Sequence, residues 1–117
     1  MRSKYGAIKS GGYDSRKEHK RAEILKLLQR QGIISDLKEQ VVYELIPKQT
    51  EIEIIHTKKG VRYKEVCVER ACNYIADFVY TENGNEIVED VKGMRLSDYK
   101  IKRKLMLFIH KIKINET

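Results

Sequence analysis

Asp77, Asp90 and Lys92 are the residues of this sequence whose types and spacing could do chemistry. Asp77 interrupts the apolar and aromatic run Tyr74-Ile75-Ala76-Asp77-Phe78-Val79-Tyr80, and Asp90-Val91-Lys92 follows beyond the turn-forming pair Asn83-Gly84. Side chains alternate faces along a strand, so Asp90 and Lys92 project to one side and Glu89 and Val91 to the other. If the two runs pair around Asn83-Gly84, Asp77 lies near the face of Asp90, and two carboxylates and an ammonium converge at one end of a hairpin. That cluster suits metal-assisted phosphodiester hydrolysis. The acidic oxygens hold Mg²⁺, the cation polarises the phosphate and lowers the pKa of a bound water, and the lysine orients that water or stabilises developing charge. A surface hairpin with an ordinary Asp–Lys cross-strand pair has the same spacing, and such a pair contributes under ~1 kcal/mol.

The elements that must position these residues can be read on either side. Residues 1–13, with Gly6, Gly11 and Gly12 and no hydrophobic period, read as a mobile basic arm ahead of a single domain over 14–117. Asp14 and Ser15 open a helix that runs to about Gln31, with Gly32 as its stop signal. Ala22, Ile24, Leu25, Leu27 and Leu28 give that helix a broad apolar stripe that should pack on a sheet. Ser15 followed three residues later by Glu18 is a capping box. Glu18 also falls near Ala22 and Leu25 on the helical wheel, so its carboxylate is aimed at the sheet and within reach of a metal site.

From Ile34 to Tyr80 the texture is β-branched and aromatic, with VVYELI, EIEIIH, VRYKEVCVE and NYIADFVY as strands and Lys58-Lys59-Gly60 as a hairpin turn. Gln40 and Glu44 are polar positions on the strand ahead of the proposed site. EIVEDVK is a further strand, a second helix is expected over about Ser97–Ile109 with Ile101, Leu105, Phe108 and Ile109 sharing one face, and the alternating IKIN suggests a short last strand. Helices against a mixed sheet make this an α/β or α+β sandwich.

The charge distribution adds a partner. The 117 residues carry a net +7, but residues 1–31 hold nine Lys/Arg and three Asp/Glu, residues 32–92 eight and twelve, and residues 93–117 seven and two. Two basic flanks enclose an acidic middle, an arrangement that suits a polyanion at the flanks and a cation at the centre. Arg16, Lys17, Lys20 and Arg21 on the first helix, with Lys100, Lys102, Arg103 and Lys104 on the second, would form walls that contact phosphates on either side of the site. Tyr5, Tyr13 and Tyr99 lie beside basic residues and could stack on an unpaired base. No apolar run approaches the ~20 residues of a membrane helix, and the basic start lacks a signal-peptide core, so the expectation is an intracellular, cytoplasmic protein.

Ser15-x-x-Glu18, Tyr74-Ile75-Ala76-Asp77-Phe78 and Asp90-Val91-Lys92-Gly93, in that order and in those contexts, resemble the PD-(D/E)xK nuclease superfamily. The likeness is strongest to small phage-encoded nuclease-like proteins and phage junction-resolving endonucleases, and it covers roughly residues 13–112. It implies a restriction-endonuclease-like α/β core, a mixed β-sheet flanked by helices in the order α-βββ-α-β. Mg²⁺, replaceable by Mn²⁺, would be held by Asp77 and Asp90 and completed by Glu18, with Lys92 as the catalytic lysine. Ala76 stands where the family name has Pro, and Asp90 takes the second acidic position in place of Glu. The implied protein is a Mg²⁺-dependent DNA endonuclease for branched or junction DNA in phage DNA metabolism, in the host cytoplasm, with a homodimer supplying a second active site.

Two other readings use the same residues differently. The fold could persist without catalysis as a basic nucleic-acid-binding module, or the hairpins could serve assembly. Cys67 and Cys72 lack zinc-knuckle spacing, His19, His56 and His110 are scattered, and no phosphate-binding GxxxxGK[ST] or nucleophilic serine signature occurs.

Overall fold

The computed structural model describes residues 15–91 and 96–117, so the expected basic arm at residues 1–13 and the stretch 92–95, Lys92 included, lie outside the described residues. Helix α1 spans Arg16–Arg30, and Ser15 caps it by accepting the Glu18 N–H at 3.1 Å. Gly32 ends it at φ 77°, where the Ile33 N–H reaches the Leu28 carbonyl and the Gly32 N–H reaches that of Gln29, a Schellman closure. Strands β1 (Ser35–Ile46), β2 (Gln49–Thr57), β3 (Gly60–Glu69), β4 (Cys72–Glu82) and β5 (Asn85–Asp90) follow, then α2 (Ser97–His110) and the two-residue β6 (Asn115–Glu116).

The strands form two sheets. One has the order β1-β4-β5-β6, antiparallel except for the parallel β5–β6 pair, and the other is the β2–β3 ribbon alone. The 34–80 stretch, expected to belong to one sheet, is thus divided. Pro47, the one proline of the chain, ends β1, because it has no N–H to continue a ladder. With the ribbon set aside, the order is helix, three strands, helix, strand around a mixed sheet, a mixed α/β architecture. Asn83 at φ 52° and Gly84 at φ 77° make the tight β4–β5 turn expected of that pair.

Each face of the four-stranded sheet is covered by one helix. Ala22 and Leu25 of α1 pack with Ile34, Phe78, Tyr80 and Val91 on one side. Tyr99 and Met106 of α2 pack with Leu45, Tyr74, Ala76, Val79, Val88 and Ile114 on the other. The α1 stripe is narrower than expected, since Ile24 and Leu27 remain about half exposed and Glu18, Ala22 and Leu25, spaced four and three apart, form the buried line. On α2 the expected face is corrected. Ile101, Phe108 and Ile109 are exposed, whereas Tyr99 and Met106 are buried with Leu105 beside them, because β6 is fixed to the Tyr99 side. The Tyr99 hydroxyl and the Arg103 guanidinium both donate to Glu116, at 2.7 and 2.9 Å. The last strand accordingly forms at Asn115–Glu116 and not across the whole IKIN stretch. No helix of the described residues is long and apolar enough to cross a membrane.

Candidate active site

The site lies where strand alternation breaks. On β4, Tyr74 and Ala76 face α2, but Phe78 and Tyr80, which strict alternation would put on the same side, face α1. On β1, Leu37 packs toward α1, while Val41, Tyr43 and Leu45 pack toward α2. The register is unchanged across this reversal, with Glu39 opposite Phe78 and Val41 opposite Ala76, so both strands turn over at one rung, that of Gln40 and Asp77. Gln40 takes a left-handed φ of 54°, a conformation that costs a non-glycine residue free energy. The reversal places a carboxylate where each flanking residue is already committed to a core.

Asp77 and Asp90 lie one position beyond the last β4–β5 pair. The pairing of Phe78 with Glu89 puts Asp77 and Asp90 on the next rung, at the end of β5. The Asp77 carboxylate accepts the Val91 N–H at 2.7 Å, in place of further ladder pairing, and the Asp90 carboxylate accepts the Tyr74 hydroxyl at 3.1 Å. Asp77 is 4% exposed and Asp90 0%. Burial, and then the adjacent Asp90, pushes the Tyr74 phenol well above its ordinary pKa, so it stays protonated and donates. Glu18 enters from α1, also buried, and accepts the Gln40 side-chain amide at 3.1 Å. Ser15 therefore serves as the cap, while the Glu18 carboxylate is turned to the sheet and connected with the rung of Asp77.

The three carboxylates do not close into a ready cage. Among the described residues, no group of three or more His, Cys, Asp or Glu side chains is gathered as a metal site. The donor chemistry nonetheless fits a hard divalent ion. Two carboxylates share one rung, and Mg²⁺ is commonly held by one or two carboxylates together with waters and substrate phosphates. A cleft of about 330 Å³ opens beside Asp90, with Tyr74, Tyr99, Asp98 and Lys102 also in its walls.

Other expected residues are placed unevenly. Arg16, Lys20, Lys100 and Lys104 are exposed on the two helices. Lys17 donates to the Thr117 carbonyl at 2.9 Å, and Arg103 pairs with Glu116. Arg21 is corrected from a phosphate contact to a structural one. Its guanidinium grips Glu89 through two bonds of 2.8 and 2.7 Å, and Tyr80 donates to the same carboxylate. Glu89 is fully buried on the α1 side, opposite in direction to Asp90, as strand alternation requires. Glu44 is exposed, and its carbonyl contacts His110 at 2.7 Å. Tyr74 and Glu89 are parts of the site region that the motif spacing alone did not single out; their signal is polarity beside Asp77 and Asp90 on strands that bury both faces.

The family model described as "Protein of unknown function (DUF1064)" matches residues 2–115. No curated protein and no solved structure matches the chain.

Proposed function

The chain belongs to the DUF1064 family, and we propose that it is a Mg²⁺-dependent DNA endonuclease with a restriction-endonuclease-like core of the PD-(D/E)xK type. The observation that carries this reading is the pair of buried carboxylates, Asp77 and Asp90, on one rung of β4 and β5 where the strands part. Burying like charges opposes folding unless hydrogen bonds or a cation offset it, so such a pair is better explained by use than by stability. Asp77 and Asp90 would hold the ion, with Glu18 completing the site from α1. When bound, Mg²⁺ polarises the scissile phosphate and makes its water a stronger nucleophile.

The remaining work falls to the chain itself. The Val91 N–H and the Tyr74 hydroxyl fix the orientation of the two aspartates, and Gln40 fixes Glu18. Lys92, assigned by the resemblance, would orient the attacking water or stabilise developing charge. Arg16, Lys20, Lys100 and Lys104 stand exposed on the two helices and would attract the DNA backbone by releasing its counterions, with Lys17 and Arg103 restrained by their partners. Branched or junction DNA, as in phage DNA metabolism, is the substrate the resemblance favours.

The test is cleavage of plasmid and four-way-junction DNA by wild type, Asp77→Asn, Asp90→Asn and Lys92→Ala, with Mg²⁺, Mn²⁺ or EDTA. Wild type should cut only with a divalent ion, and each variant should lose about 100-fold or more, the scale of removing one group that stabilises transition-state charge. Intact substrate in every wild-type reaction, or equal cutting by all four proteins, would show the assignment to be wrong.

A second reading has one observation in its favour. Arg16, Lys20, Lys100 and Lys104 stand exposed on the two helices, and a non-catalytic nucleic-acid-binding module of the same fold would use these cations alone. That module would bind DNA in a salt-dependent way, insensitive both to EDTA and to Asp90→Asn.

A further inference from the structure

Among the described residues, nothing covers one face of the β2–β3 ribbon. Its register pairs Thr50 with Cys67, Ile52 with Glu65, Ile54 with Tyr63 and His56 with Val61, and alternation puts all eight side chains on one face. Ile52 is 60% exposed, Ile54 55%, Val61 50% and Tyr63 72%. A two-stranded ribbon standing alone is only marginally stable in water, and an apolar face is what a further layer would cover.

We propose that this face is a homodimer interface, occupied by the same face of a second copy of the chain. The face has an apolar centre that a two-fold rotation lays on itself. The Ile54–Tyr63 rung is at its centre, with the Ile52–Glu65 rung on the side of the ribbon's root and the His56–Val61 rung on the side of its tip. A two-fold axis through the central rung, crossing the strands, lays root over tip. Ile54 then meets Ile54 and Tyr63 meets Tyr63. The His56–Val61 rung of each copy lies over the Ile52–Glu65 rung of the other, so that His56 faces Ile52 and Val61 faces Glu65, with the His56 imidazole and the Glu65 carboxylate of the second copy as diagonal neighbours. The same surface patch serves both subunits, as a closed two-fold pair requires.

Area and charge favour this occupant. The four apolar side chains offer roughly 450 Å² per copy, so pairing them with the flanking residues reaches about 1,000 Å² in total, the lower bound for a specific interface. A polyanion is disfavoured here because the face carries Glu65 and no Lys or Arg, whereas Arg62 and Lys64 point to the opposite face of the ribbon. The interface stands independently of the proposed nuclease activity.

Sedimentation equilibrium of the full chain tests it. Wild type should sediment as a dimer of 13.8 kDa chains at micromolar concentration, and Ile54→Asp should weaken association about tenfold or more, with an unchanged far-ultraviolet circular dichroism spectrum. Arg62→Ser, on the opposite face, should stay dimeric. In a Cys67→Ser, Cys72→Ser background, Ile54→Cys should oxidise to a cross-linked dimer and Arg62→Cys should not. A monomeric wild type, a dimer indifferent to Ile54→Asp, or equal cross-linking from the two faces would each overturn the proposal.

Discussion

Replacing Arg21 by Met should be among the most damaging single changes outside the site, and the structure gives its size. Glu89 is 0% exposed and takes two charge-assisted bonds, of 2.8 and 2.7 Å, from an Arg21 side chain that is itself 28% exposed. The carboxylate raises the guanidinium pKa, chiefly through those bonds, so Arg21 keeps its charge. Without Arg21, Glu89 retains the Tyr80 hydroxyl and an uncompensated buried charge, an error that costs about 3–5 kcal/mol. In a domain of this size that is a fall in Tm of roughly 10–30 °C. Removing both charges is different in kind. Arg21→Met with Glu89→Leu leaves no buried ion and should cost only about 1–2 kcal/mol, mainly for the orphaned Tyr80 hydroxyl. Urea unfolding followed by circular dichroism on wild type, both single variants and the double variant gives the coupling, which should be about 2 kcal/mol or more. An Arg21→Met loss below about 1 kcal/mol, or a double variant as unstable as the sum of the singles, would refute the reasoning.

Three further outcomes follow from the same contacts. Burial, aided by Glu89, pushes the Tyr80 phenol up to about 12 from an ordinary 10.0. A pKa raised on folding stabilises fully below pH 10 and that contribution disappears as pH rises from there to about 12. Urea midpoints should therefore fall over that window, and Tyr80→Phe should make the fall shallower. Asp90→Asn removes one of two facing buried carboxylates, so it should leave Tm unchanged or raise it by a few degrees while abolishing cleavage, the trade-off of a site kept for use; a clear loss of Tm would count against like-charge strain at that rung. Gly84→Ala places a Cβ at φ 77°, and thermal melts should register a loss of about 1 kcal/mol even though open space surrounds the position.

The hairpin that carries Asp77 and Asp90 was legible in the sequence because its signals are local: an Asn-Gly turn between two β-rich runs, and alternation that separates Asp90 from Glu89. Glu18 was legible for the same reason, since its place beside Ala22 and Leu25 is set by helical period alone. The ribbon was not. Ile52, Ile54, Val61 and Tyr63 alternate as core strands do, and period reports that a strand has two unlike faces without saying which sheet it joins. Pro47 was the local sign that β1 stops. The Arg21–Glu89 grip joins residues 68 positions apart, a pairing no local pattern encodes, and so Arg21 resembled one more exposed cation. On α2, the spacing of Ile101, Leu105 and Phe108 predicts one packed face, but Glu116 holds the helix by Tyr99 and Arg103, and a tertiary anchor overrides an amphipathic period. The reversal at Gln40 and Asp77 runs against alternation altogether, and departures of this kind from local rules are expected where a site is being built.

The two proposals divide the molecule by region. The four-stranded sheet and α1 would carry the chemistry, the exposed cations of the helices the attraction for DNA, and the ribbon the pairing of two copies. A homodimer would set two cleavage sites in one particle, which suits a branched substrate with two strands to cut.

The most direct test of the central claim is a crystal soaked in Mn²⁺ and measured for anomalous scattering. A peak between the carboxylates of Asp77 and Asp90, absent from a crystal of Asp90→Asn, is the predicted result. Carboxylates that stand apart, with no peak between them at saturating Mn²⁺, would contradict it.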